Sequence, residues 1–89
     1  MVEKFELGQT LITPAALDQI PDDEIQSAIG RHSNGDWGNL HEEDAAENDW
    51  SVENRARILS SFKSNAGTEF WIITEADRSA TTVLLPSDY

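Results

Sequence analysis

One set of polar residues could cleave RNA if an antiparallel sheet brought its members together. General acid–base cleavage needs a group that removes the 2′-hydroxyl proton and a cation that meets the charge developing on the phosphate. Glu75 and Arg78 lie across one predicted turn and could provide these two groups. This interpretation, a small metal-independent ribonuclease or toxin-like enzyme, assigns catalysis to His32, Glu75, Arg78 and Thr81, with Arg55, Arg57 and Thr82 beside them.

The same residues also have a purely structural interpretation. Asp77 and Arg78 would form the turn, and Glu75 would pair with Arg57 across two strands. A net charge of −11 would also slow any encounter with RNA. The structural interpretation is therefore favoured, and the sequence argues against an enzyme more than for one.

Familiar catalytic and metal-binding motifs are missing from the sequence. Residues 41–45 begin like the zinc-protease motif but lack its second histidine. With two histidines and no cysteine, the chain offers no ligand set with metal-binding spacing. Residues 35–38, Gly-Asp-Trp-Gly, are not followed by a phosphate-binding or dinucleotide-binding pattern, and no Gly-x-Ser-x-Gly elbow occurs. The sequence therefore predicts neither a metal nor a cofactor.

The excess of acidic residues, 17 against six Lys and Arg, points to a different class of function. Such a surface repels phosphate backbones and anionic membranes, so we expect no direct contact with nucleic acid or membrane. It favours a basic or nucleic-acid-handling protein partner, which an acidic helix could bind as a DNA mimic or inhibitor. The alternative is a merely solvated face. The predicted binding residues are Glu42, Glu43, Asp44, Glu47, Asp49 and Trp71.

The length of 89 residues predicts a single domain, residues 1–89, with a modest core. No cysteine is present to form disulfides, which suits a reducing compartment. The first ten residues lack the basic and apolar regions of a signal peptide, and no apolar run approaches the roughly 20 residues that span a bilayer. We therefore expect a cytoplasmic protein.

Helices are predicted in about residues 13–54, after a short edge strand within residues 5–12. Thr13 followed by Pro14 is a typical helix start, and Pro21 separates this helix from a second one. The second helix has one apolar face that includes His32 at its end. A third, acidic helix is expected from His41 to about Asp49, on the surface.

A three-stranded meander is predicted in about residues 57–86. Residues 57–63, 68–75 and 81–85 alternate like strands and are joined by tight turns. Together with the helices they predict an α+β fold, with a three- to four-stranded antiparallel sheet packed by two or three N-terminal helices. Trp37, Trp50 and Trp71 are expected mainly in the core. If helices cover only the Phe70 face, Trp71 and Ile73 would form a partner surface or a structural homodimer interface.

Several segments resemble a family of short bacterial proteins described as plasmid-related or hypothetical. The resemblance covers most of the chain and implies a cytoplasmic protein that is often carried on mobile elements. It implies no activity and assigns no catalytic residue. The segments that carry it are Gly-Asp-Trp-Gly at residues 35–38, Glu43, Asp44 and Asn48, residues 57–60, and WIITEADRSATTVLLP at residues 71–86.

Overall fold

Helices and strands occupy two successive parts of the chain, apart from one short strand near its start. The computed structural model describes residues 3–89. In this part of the chain, three helices precede the last three strands of a four-stranded sheet, which confirms the predicted α+β class. The elements are β1 (Gln9–Ile12), α1 (Pro14–Gln19), α2 (Asp22–Ser33), α3 (Glu42–Asn54), β2 (Ile58–Lys63), β3 (Glu69–Thr74), β4 (Ala80–Leu84) and a 3₁₀ turn (Pro86–Asp88).

The sheet is mixed, so the prediction of a purely antiparallel sheet is wrong at one edge. Its strand order is β1-β4-β3-β2. The predicted meander is present, since β3 pairs antiparallel with both β2 and β4. Strand β1, however, pairs parallel with β4, with Thr10 opposite Thr81. Tight turns force the strands they join to be antiparallel, whereas β1 is separated from β4 by all three helices and two strands.

Local signals set the ends of the helices. Thr13 caps α1, because its Oγ1 accepts a hydrogen bond from the amide of Ala16 at 3.2 Å. This contact confirms the predicted start of α1. The predicted end of α3 near Asp49 is too early. The helix continues to Asn54, and the next residue, Arg55, takes the left-handed conformation with a φ of 54°.

The main core lies between the sheet and helices α1 and α2. The predicted inner face of α2, from Ile25 to His32, is buried, as are Phe62 and Phe70 on the sheet. These two phenylalanines are cross-strand partners with ring centroids 5.9 Å apart. Burial of each such side chain contributes roughly 1.5–3 kcal/mol. The other buried members of this core are Ala16, Ile20, Ala28, Ile29, Ile72, Val83 and Leu85.

A smaller cluster surrounds Trp37 beside the outer edge of β2. The indole stacks on Phe5 with ring centroids 6.0 Å apart. The Ser61 amide donates to the Trp37 carbonyl at 3.2 Å, and the Asn39 amide donates to the Ser61 carbonyl at 2.7 Å. Gly38 has a φ of 72°, and a Cβ there would clash with the Ser61 carbonyl. The Gly-Asp-Trp-Gly segment therefore buries an indole and covers part of an otherwise open strand edge.

Replacement of Gly30 by alanine should stabilise the protein by about 0.5–1 kcal/mol, because glycine inside a helix loses more backbone entropy than alanine. Gly30 lies within α2, and a Cβ there would meet nothing within 4 Å. Gly67→Ala is a matched control, since its surroundings are equally open but its φ is 92°. We expect urea unfolding to show a gain for Gly30→Ala and a loss for Gly67→Ala. A loss at Gly30 would contradict the helical environment described.

Candidate protein-binding surface

The outward side of α3 carries an exposed tryptophan among carboxylates. Trp50 is 59% exposed, so its assignment to the core was wrong. Glu47 and Glu53 lie three residues before and after Trp50, and Glu43 lies seven residues before it, so all four share one side of the helix. The three glutamates are exposed as well. We call Glu43, Glu47, Trp50 and Glu53 the acidic face.

No cation among the described residues forms an ion pair with the acidic face. Within residues 3–89, the only ion pair joins Arg31 to Asp36, at 2.7 Å. In the same part of the chain, the carboxylates of Glu43, Glu47 and Glu53 take part in no side-chain hydrogen bond. Carboxylates at neighbouring helical positions repel one another and destabilise the helix slightly. The negative charge of this face is thus available to a partner.

Four of the five predicted binding acids on α3, including Glu43 of the acidic face, also have structural roles. Asp49 accepts a hydrogen bond from Nε1 of Trp37 at 3.0 Å and so holds a core indole in place. Glu42, Glu43 and Asp44 occupy the first turn of α3, where negative charge stabilises the helix dipole. Charge changes at these positions would therefore mix effects on binding with effects on the helix.

Asn48 connects α3 to the edge of β2 by two hydrogen bonds. Its Nδ2 donates to the carbonyl of Leu59 at 2.6 Å, and its Oδ1 accepts from the Leu59 amide at 3.2 Å. The side-chain amide thereby imitates a neighbouring strand and covers the edge where β2 would otherwise be open. An asparagine in the middle of a helix that has few apolar residues is the only sequence signal for this contact, and it does not reveal the burial of Asn48.

A cleft opens between α3 and β2 beside this contact. Its volume is about 340 Å³. Leu40 and Leu59, both half-buried, provide its apolar surface. Asp44 and Glu47 line it from α3, and Arg57 lines it from the position just before β2. We call this feature the α3–β2 cleft, and Asn48 completes its lining.

The sheet face opposite the helices is only partly open. Ile73 is buried, and Trp71 is half-buried with its Nε1 donating to Glu69 at 3.0 Å. The ring of Tyr89 packs edge-on against Trp71, with centroids 5.8 Å apart. Arg57 donates to the Tyr89 hydroxyl at 2.7 Å. The apolar patch predicted at Trp71 and Ile73 is therefore smaller than the alternation of the strand indicated.

A chain of buried polar side chains crosses the other face of the sheet. Nδ1 of His32 lies 2.5 Å from Oγ of Ser60, and Nε2 lies 2.9 Å from Oγ1 of Thr74. Thr74 is 2.8 Å from Thr81, which donates to the carbonyl of Leu7 at 2.7 Å. All four of these hydrogen-bonded side chains are fully buried. We call His32, Ser60, Thr74 and Thr81 the buried polar chain.

The direction of the hydrogen bonds places a proton on Nε2 of His32. Because the Thr81 proton goes to Leu7, Thr74 donates to Thr81, and the proton on Nε2 of His32 goes to Thr74. With a pKa well below 7 the imidazole is neutral near pH 7, so Nδ1 accepts from Ser60. Burial lowers the pKa of His32 from 6.5 to about 4. Every side chain of the buried polar chain has a hydrogen-bond partner, and none is exposed to solvent. This pattern is typical of a structural network.

The structure does not bring the four candidate catalytic residues together. His32 and Thr81 belong to the buried polar chain, whereas Glu75 is exposed on the turn between β3 and β4. Arg78 is only 4% exposed and donates to backbone carbonyls, not to Glu75's carboxylate. The cross-strand ion pair expected between Glu75 and Arg57 is not formed.

Other classes of site were sought throughout residues 3–89. No group of three or more potential metal ligands comes together there. None of the helices in that range is long and apolar enough to cross a bilayer. The resemblance to short bacterial proteins stays a prediction. No protein-family model, curated protein or solved structure matches this chain.

Proposed function

We propose that this protein is a non-enzymatic interaction module that binds a basic segment of another protein through the acidic face. The observation that supports this is Trp50, 59% exposed among carboxylates that have no cation partner within residues 3–89. Tryptophan is enriched among the residues that dominate interface binding energies. A Lys or Arg over the indole would gain a cation–π interaction, and the carboxylates would add charge attraction.

Packing does not explain the composition of α3. Its buried side chains, Asn48 and Ser51, are polar, whereas its largest apolar side chain, Trp50, is exposed. An exposed indole and clustered carboxylates both raise the free energy of the isolated protein. A cationic partner that covers the indole would relieve both effects, which favours binding.

The charge of the chain selects among possible partners. Two copies, each with a net charge of −11, would repel one another, and so would this chain and a nucleic acid. A protein with a basic groove is attracted instead. Proteins that hold nucleic acid in such a groove are the partners we favour, because the carboxylates of α3 would take the place of phosphates.

Reversal of two charges on the acidic face should weaken this binding about tenfold or more, a change of about 1.4 kcal/mol or more. The variant Glu43→Lys/Glu53→Lys adds one cation near each end of α3, so its two effects on the helix dipole are opposite in sign. Partners are captured from a cell lysate and purified. Calorimetry then compares their affinities for wild type and variant, and we expect binding to weaken as salt rises.

The matched control is Glu6→Lys/Asp18→Lys, which replaces two exposed acids outside α3. Both double variants change the net charge from −11 to −7, since each replacement adds two charges. Only the variant on α3 should lose affinity, and Trp50→Ala should lose it without any change in charge. Equal losses in both double variants would mean that net charge, not the acidic face, governs binding.

A further inference from the structure

We infer that the α3–β2 cleft receives one arginine side chain of the partner. This inference rests on the proposed function and specifies its contact. Leu40 and Leu59 offer apolar surface to the aliphatic part of a long side chain. Asp44 and Glu47 stand beside that surface and offer carboxylates to a cationic head group. The cleft thus matches a side chain that is apolar along its stem and positive at its end.

The size and charge of the cleft favour a side chain over a cofactor or a small anion. Its volume of about 340 Å³ is near the lower limit of ligand pockets, roughly 300 Å³. Asp44 and Glu47 are three residues apart on α3, so their carboxylates are neighbours on the helix surface. A planar guanidinium can donate to two neighbouring acceptors at once, whereas an ammonium is a compact point charge. We therefore expect arginine to be preferred over lysine.

The cation that already lines the cleft does not occupy this position. Arg57 donates to the hydroxyl of Tyr89 at 2.7 Å, and its guanidinium lies 5.1 Å from the centre of the Tyr89 ring. It forms no ion pair with Asp44 or Glu47, both within the described residues. Its charge opposes a second cation on the β2 side of the cleft, which directs an incoming guanidinium towards α3. Glu47 belongs to both the cleft and the acidic face, so one basic segment can contact both.

The test uses acetylated and amidated Gly-Gly-X-Gly-Gly peptides, in which X is arginine, lysine or citrulline. Citrulline has nearly the shape of arginine without its charge. Each peptide is titrated into nitrogen-15-labelled protein at low salt and followed by NMR. We expect the arginine peptide to shift the backbone amides of Leu40 and Leu59 and the side-chain amide of Asn48. The lysine peptide should bind more weakly than the arginine peptide. The affinity of the citrulline peptide should be lower than that of the arginine peptide by about tenfold or more.

Two matched variants test whether the arginine peptide binds in the cleft or is attracted only by the net negative charge of the protein. Glu47→Gln should weaken the arginine peptide about tenfold, whereas Glu6→Gln, the same change outside α3, should alter its affinity less than about twofold. Amide spectra of both variants check that the fold is retained. Equal effects of the two variants, equal binding of citrulline, or shifts centred on Trp50 would overturn the inference.

The outcome of this test is separable from that of the proposed function. If the peptides fail to discriminate while Glu43→Lys/Glu53→Lys still loses the partner, the cleft inference is wrong and the acidic face remains the binding surface. If the arginine peptide binds the cleft but the reversed face still binds the partner, the inference is supported and the proposed role of the acidic face is wrong.

Discussion

Replacement of Arg78 by alanine should lower the free energy of unfolding by about 3 kcal/mol. The side chain is 4% exposed, and its charge is balanced by carbonyl dipoles instead of a carboxylate. Nη1 donates to the carbonyls of Ala56 at 2.7 Å and Glu75 at 3.1 Å, and Nη2 donates to that of Ser51 at 2.9 Å. Alanine would remove all three hydrogen bonds from the guanidinium, and a hydrogen bond to a charged group contributes about 1.5–3 kcal/mol. The carbonyls of Ser51 and Glu75 would keep the amides of Ala56 and Arg78 as donors, whereas that of Ala56 would lose its guanidinium donor.

Two further variants separate the side-chain contacts from the backbone conformation at this position. Arg78 has a φ of 60°, which glycine adopts without strain, so Arg78→Gly should be about 1 kcal/mol less destabilising than Arg78→Ala. Arg78→Lys keeps the charge but cannot reach several carbonyls at once, and we expect an intermediate loss. Urea unfolding measures all three. An alanine variant within about 0.5 kcal/mol of wild type would contradict the role assigned to the guanidinium.

Arg78 also links the sheet to the helix that carries the proposed binding surface. Ser51 lies in the last turns of α3, where the exposed carbonyls make a positive charge favourable. The turn between β3 and β4 therefore holds the end of α3, while Asn48 holds its middle against β2. The position of the acidic face therefore depends on these two polar contacts, together with the hydrogen bond between Asp49 and Trp37 and the packing of Ala45 and Val52 against the cluster around Trp37.

The parts of the fold that were predictable depend on contacts between near neighbours in the sequence. The buried face of α2 follows from helical spacing, and the meander follows from alternation between tight turns. The parallel pairing of β1 with β4 was not predictable in this way, since Thr10 and Thr81 lie far apart in sequence. Arg78 shows the same limit. Its place in a turn is a local property, but its contacts to Ser51 and Ala56 are 27 and 22 residues away.

The candidate site was predictable only in part. The acidic composition of α3 is visible in the sequence, and so is the stretch of strand that contains Trp71. The different positions of Trp37 and Trp50 are not, because composition indicates only that a small domain needs large side chains to fill its core. Trp37 is buried because Gly38 allows its segment to approach β2, whereas Trp50 lies on the side of α3 that faces away from Asn48.

Acidification should destabilise the protein through His32 by about 2–3 kcal/mol between pH 7 and pH 4.5. Burial lowers the pKa of His32 to about 4 in the folded state, against 6.5 when the chain is unfolded. Between these values the unfolded chain binds a proton that the folded chain does not. The free energy of unfolding therefore falls as the pH falls through this window, and the contribution is complete above pH 6.5. Protonation of the folded state would require Nδ1 to lose the hydrogen bond from Ser60.

The variant His32→Gln isolates this effect from the titration of the many carboxylates. Glutamine cannot titrate, so the destabilisation caused by the substitution should be largest near pH 7 and should shrink by about 2–3 kcal/mol at pH 4.5. Carboxylates titrate in both proteins, and their contributions largely cancel in the difference. Urea unfolding at intervals between the two pH values measures that difference directly. A constant difference would mean that His32 takes up its proton equally in both states, and the buried polar chain would then be open to water.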